Sequence, residues 1–170
     1  MSYNLNKKNN KGFTLIETLV AISILLIAMV GPLDLSRQGI RSARLVKNQI
    51  TSFYLAQDAV EYIRSKRDSN TISDSNWLNG LANCLGTNAC SVDTTSDTIE
   101  SCGASCPVMR MSSDGLYGYN EEWSETVYRR NISMLTNVSP SSDEVLLEVT
   151  ILWAGDSKSF TVRENLFNLR

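Results

Sequence analysis

From Phe13 to Leu33 the chain is an almost unbroken apolar run in which Glu17 is the only ionisable side chain. About 20 apolar residues at ~1.5 Å rise per residue are long enough to cross the hydrocarbon core of a bilayer. A carboxylate inside such a run costs roughly 2.5–3.5 kcal/mol on insertion scales, so its retention points to a partner. No ordinary soluble fold uses a surface of this kind, and the rest of the chain has to be read around it.

The residues before the run are basic: Lys7, Lys8 and Lys11. A secretory signal would place a small-residue cleavage site after a shorter apolar segment of about 7–15 residues. Here the small residue, Gly12, comes before the segment, so a cut there removes residues 1–12 and leaves the membrane helix on the mature chain. The stretch Gly12-Phe13-Thr14-Leu15-Ile16-Glu17 resembles the prepilin processing motif of type IV pilins and type II secretion pseudopilins: glycine, the junction, phenylalanine, and glutamate four residues on. The likeness is specific from about Lys7 to Leu33 and becomes architectural beyond.

That resemblance implies roles for three residues. Gly12 would precede the bond cut by a membrane-embedded prepilin peptidase. Phe13 would become the new N-terminus and be methylated on its amine. Glu17 would meet the Phe13 amine of a neighbouring subunit during assembly. Two opposite charges buried together cost much less than either alone, which gives that pairing a physical basis. A polar residue snorkelling to the interface and a plain single-span anchor are the alternatives.

Composition narrows the function classes. A chain of 170 residues leaves room for one domain of roughly 100 residues beyond the membrane segment. The formal net charge of -2 makes no case for nucleic-acid binding. With no histidine, Ser-His and Cys-His catalysis and histidine metal sites are removed. No phosphate loop, zinc-protease motif or EF-hand loop is present, so the expectation is a non-enzyme without cofactor or metal. Asp93, Asp97 and Glu100 are loosely spaced acids that match no calcium-ligand pattern.

The run continues as helix. Residues 13–35 read as the transmembrane and assembly segment, with Gly31-Pro32 near its end set to bend or locally melt it. Residues 36–67 read as an amphipathic helix whose packing face is Ile40, Ala43, Val46, Ile50, Phe53, Ala56, Val60 and Ile63. Together they predict a helix of ~80 Å from Phe13 to Arg67, ended by Asp68-Ser69-Asn70. Arg37, Arg41, Arg44 and Lys47 step along one side as a basic stripe, facing lipid headgroups, acidic residues of adjacent subunits, or solvent. Lysines flank the segment before it and basic residues after it, so the charge bias alone does not orient it; the resemblance puts the N-terminus in the cytoplasm.

Residues 68–170 read as the exported head. Trp77, Leu78 and Leu81 are expected to dock on its core. Residues 83–113 are rich in Ser, Thr, Asn and Gly and read as a long loop, too long to be an ordinary connection. That stretch holds Cys84, Cys90, Cys102 and Cys106, an even number that in an exported chain reads as two disulfides. Three pairings are open; Cys84 with Cys90 and Cys102 with Cys106 close the shortest loops.

The remainder reads as strands. Tyr128, Ile132 and Met134 alternate within 126–135, and Val145, Leu147, Val149, Ile151 and Trp153 alternate strictly. Ala154-Gly155-Asp156-Ser157 is a turn into a partner strand with Phe160 and Val162, and Leu166, Phe167 and Leu169 close the core. The expected fold is α+β and pilin-like: a long N-terminal helix, half in membrane and half amphipathic, packed on a small antiparallel sheet of three or four strands. The expected function is a minor pilin-like subunit of a type IV pilus-type filament serving adhesion, motility or DNA uptake. Its partners would be other pilin subunits, prepilin peptidase, the inner-membrane assembly platform, membrane lipid and a surface ligand. It would be a single-pass membrane protein before assembly and part of a cell-surface filament after it. A pseudopilin of a type II secretion system and a membrane-anchored binding domain are the alternatives.

Overall fold

A computed structural model describes residues 12–103, 105–136 and 143–169; Lys7, Lys8 and Lys11 of the leader lie outside them. The chain divides into two units, 1–45 and 46–170. Helix α1, Leu15–Ile72, is 58 residues long and contributes to both.

In the first unit α1 starts where Thr14 caps it. The Glu17 backbone N–H donates to Thr14 Oγ1 at 3.3 Å and to Thr14 O at 3.1 Å, satisfying a donor that the first turn would leave orphaned. Thr-Leu-Ile-Glu has the spacing of a capping box, and Glu17 sits in the first turn, where the helix dipole favours a negative charge. Pro32 removes one backbone bond, yet the residues on both sides of it stay helical.

In the second unit α1 buries Ser52, Leu55, Ala56, Ala59, Val60 and Ile63. This corrects the expected packing face, of which only Ala56, Val60 and Ile63 are buried. Ile40, Val46, Ile50 and Phe53 are each about half exposed. Spacings of three and four trace more than one stripe on a long helix, and the buried one is set by small side chains. That stripe includes the small Ser52, Ala56 and Ala59, and Tyr128 and Trp153 supply bulk in the core that Ala56 and Ala59 join.

The helix also outlasts its expected end. Thr71 Oγ1 donates to Arg67 O, and the Asn70 amide donates to Trp77 O and Asn79 O instead of competing for its own turn. The left-handed Asp74, at φ 52°, follows the end of the helix. Trp77 and Leu81 are buried just beyond.

The sheet is antiparallel and seven-stranded, with β5 (Ser124–Leu135) at its centre. On one side β5 pairs with β6 (Glu144–Trp153), and β6 with β7 (Lys158–Phe167), through an unbroken register from Glu144↔Phe167 to Trp153↔Lys158. This is the expected meander, and Leu166 belongs to β7. On the other side two arms share β5. The β3 strand (Val108–Met111), carrying β4 (Tyr117–Gly118), pairs with the first half of β5. The β1 strand (Ala89–Asp93), carrying β2 (Thr98–Gly103), meets the second half at Cys90↔Ile132.

Three of those strands and a short 3-10 turn, Ala82–Cys84, occupy the region expected to be a loop. The expectation fails because this arm does not alternate apolar and polar. In β1 four successive residues are buried, two of them polar, Ser91 and Asp93, and β2 is a largely exposed edge. The sheet is accordingly larger than the three or four strands expected, while the α+β layout of one long helix and an antiparallel sheet is as expected.

One buried residue was not singled out from the sequence. Arg130 falls between Tyr128 and Ile132 on the inward face of β5 and is fully buried. Its Nη1 donates to Leu55 O at 2.9 Å and to Asp58 Oδ2 at 2.8 Å, and Nη2 to Val92 O at 2.5 Å. The guanidinium thus links α1, β5 and β1 through charge-assisted bonds. Arg64 ties α1 to β7 through Glu164 at 2.6 Å, and Phe53 meets Phe160 edge-on.

Candidate functional site

The junction residues lie at the start of α1. Phe13, Leu15 and Ile16 are 78%, 81% and 72% exposed. A Cβ added to Gly12 would meet nothing within 4 Å, and its backbone is not in the left-handed region. Nothing among the described residues therefore calls for glycine at this position. A requirement for a small residue there has to come from another molecule.

Glu17 differs from the other polar residues of the run. Thr18 Oγ1 donates to Leu15 O and Ser23 Oγ to Leu19 O, each at 2.8 Å. Such back-bonding hides a hydroxyl from an apolar environment. The Glu17 carboxylate has no cation paired with it among the described residues. Within the apolar run the hydroxyls are thus satisfied internally, whereas the one carboxylate, Glu17, is paired with no cation among the described residues.

Among the described residues α1 is the one helix long and apolar enough to cross a membrane, and every residue from Gly12 to Lys47 is exposed. The stripe Arg37, Arg41, Arg44 and Lys47 follows the apolar run, with Arg37 weakly paired to Asp34 at 3.9 Å.

The cysteines are paired Cys84–Cys90 and Cys102–Cys106, and no described cysteine is free. The first bridge fastens the 3-10 turn to β1. The second joins the end of β2 to the residues leading into β3. Cys84, Cys90 and Cys106 are buried. The bridges therefore bracket the arm that has the least apolar surface of its own.

Asp93, Asp97 and Glu100 lie on the β1–β2 hairpin. Burial pushes the Asp93 carboxyl up, but bonds from Thr95 Oγ1, Thr95 N and Tyr119 N, helped by Ser96, outweigh it and hold the pKa below the usual carboxylate range. Asp97 accepts from Tyr62 at 2.6 Å and lies near Lys66, and it too is lowered. Burial, and then the Asp97 carboxylate, push the Tyr62 hydroxyl well above its ordinary value. Asp97 fastens the hairpin to α1 and Asp93 fastens it to the residue after β4, and no group of metal-ligating side chains occurs among the described residues.

Residues 7–31 match the prokaryotic N-terminal methylation motif. No curated protein and no solved structure matches the chain. The matched motif is the prepilin-type cleavage motif, and it covers the junction, Glu17 and the apolar run. It implies processing by prepilin peptidase and assembly with other pilin subunits. Together with the long apolar helix and the antiparallel sheet, this motif supports a precursor of the type IV pilin-like or pseudopilin kind.

Proposed function

We propose that this chain is a minor pilin-like subunit, cut between Gly12 and Phe13 and assembled into, or at the tip of, a type IV pilus-type filament. Hydrolysis of that peptide bond leaves a carboxylate on Gly12 and frees the Phe13 amine, which is then methylated. The amine stays basic after one methylation and carries a positive charge at neutral pH. Before assembly the N-terminus faces the cytoplasm, the apolar half of α1 spans the membrane and the head is exported.

The observation that carries this reading is the uncompensated Glu17. In a membrane or a filament core its charge needs a cation, and no cation among the described residues pairs with it. The Phe13 amine of a neighbouring subunit is a cation of matching depth, and meeting it sets an axial stagger between subunits. Mass spectrometry of the mature chain tests the processing: a mass beginning at Phe13 with one added methyl is expected. Glu17→Leu should stay in the membrane but enter sheared filaments at least about tenfold less often, as loss of a buried charge pair implies. An uncut chain, or undiminished incorporation of E17L, would break the assignment.

A further inference from the structure

The two arms that share β5 leave a cleft of about 650 Å³ between them, within the size range of small-ligand sites. One wall is the β1–β2 hairpin with Asp93, Thr98 and Glu100. The other is the segment after β4, with Tyr119, Asn120 and Trp123. Neither the processing motif nor the filament reading uses any of these residues.

Gly118 shapes the cleft. A Cβ there would lie 3.0 Å from Trp123 Cζ3 and 3.0 Å from Asp93 Oδ1. The absent side chain lets the indole approach the β4 backbone closely beside a carboxylate. Trp123 is partly exposed, whereas Trp77 and Trp153 are each 6% exposed and sit in the core. The fork thus presents one accessible indole next to hydrogen-bonding groups.

Those groups define the ligand chemistry. No Lys or Arg lines the cleft, so it offers no cation to an anion, and Asp93 and Glu100 oppose one. Asp93 is committed to Thr95 and Tyr119, but its charge remains. The Glu100 carboxylate and the Asn120 amide N–H groups are exposed and make no side-chain bond among the described residues except the one Asn120 Oδ1 accepts from Glu122 N. Acceptors and donors therefore flank an aromatic face. A bare cation would need acceptors alone, whereas a polyhydroxylated ring has an apolar face to stack and hydroxyls that both donate and accept.

We propose that this cleft binds a saccharide ring, uncharged or bearing an amine, stacked on Trp123 and hydrogen-bonded to Glu100 and Asn120. The site would give the exported head a contact with surface glycans. It is independent of leader processing, so the two can fail separately.

The test is tryptophan fluorescence of the detergent-solubilised full chain, titrated with glucose, galactose, glucosamine and galacturonate. Saturable change is expected with at least one neutral or amino sugar, at concentrations on the order of millimolar. Galacturonate should give none. Trp123→Ala should abolish the signal, and Glu100→Gln, at an exposed position that leaves the fold intact, should weaken binding at least about tenfold. No response to any neutral or amino sugar would overturn the proposal. So would equal binding of galacturonate, unchanged affinity in E100Q, or capture of a lysine-rich peptide in place of every sugar.

Discussion

The two units solve opposite problems. Residues 12–47 are exposed throughout and overwhelmingly apolar up to Leu35, so this unit has no core of its own. The head buries Leu147, Ile151, Ile132, Met134 and Leu166 completely and even encloses an arginine. In water the first surface would aggregate and the second would not. One chain therefore carries a part whose environment is other molecules and a part that makes its own. The charges follow the same division: Glu17 has no cation paired with it among the described residues, while Arg130 has three acceptors in its own unit.

The largest break in this comparison comes from the junction. Gly12→Val meets no steric obstacle among the described residues. Any effect must arise outside them. Leader removal should be blocked nearly completely, read as persistence of the precursor band on an immunoblot, with the head folded as before. Normal processing would show that the small residue is not what the peptidase reads.

The converse break is Arg130→Ala. It leaves Leu55 O and Val92 O without their donor and opens a cavity, at a cost of about 3 kcal/mol to the head. Asp58 loses less, because it is 43% exposed and water replaces its partner. Urea unfolding followed by tryptophan fluorescence measures the loss, and processing at Gly12 should be unaffected. Asp58→Asn should cost clearly less than R130A; equal costs would mean that the ion pair, and not the carbonyl bonds, holds the arginine.

Legibility in the sequence also divides along this line. The junction, the apolar run and the β5–β7 meander were readable because each is a local pattern: a motif, a composition, a period of two. The buried face of α1 was not, because Phe53 and Ile50 fit the helical period as well as Leu55 and Ala59 do. Which stripe turns inward depends on how small Ser52, Ala56 and Ala59 are against the sheet. The β1–β3 region was misread because its strands are held by two bridges and by polar bonds such as those to Asp93. Such support leaves no apolar alternation to see. Arg130 lay in plain view of the β5 alternation, and its neighbours Tyr128 and Ile132 carried the signal. Its charge argued for solvent until the acceptors on α1 and β1 were known. In the cleft, Trp123 and Glu100 lie 23 positions apart and only the fold brings their arms together.

Reduction sharpens the comparison within the head. Each bridge closes a short loop and is worth about 2 kcal/mol through the entropy of the unfolded chain. Cys84 and Cys90 are both fully buried, whereas Cys102 is partly exposed. The Cys102–Cys106 bridge should therefore yield first to mild reductant, seen by thiol labelling and peptide mapping. Limited proteolysis should then cut first within residues 83–113, while β5, β6 and β7 persist on their own packing. First cuts in β6 or β7 would show that the bridges support the meander as well.

The smallest effect expected is from pH, and on the cleft side of the head it is carried by Asp93. Asp93 has a folded pKa below its unfolded value of about 3.9. Its contribution is therefore complete above that value and is lost as pH falls through the lower, folded pKa. Protonation weakens the acceptor held by Thr95 and Tyr119 N–H, and so loosens β1 from the residues after β4. Between pH 7 and about 4.5 the Trp123 environment should not change, because Asp93 stays ionised there. Below about pH 4 its emission should shift before α1 loses helical circular dichroism. Asp93→Asn keeps the side-chain shape and one acceptor oxygen, and should flatten that early shift without abolishing folding. An acid transition of Trp123 that is unchanged in D93N would place its origin outside Asp93.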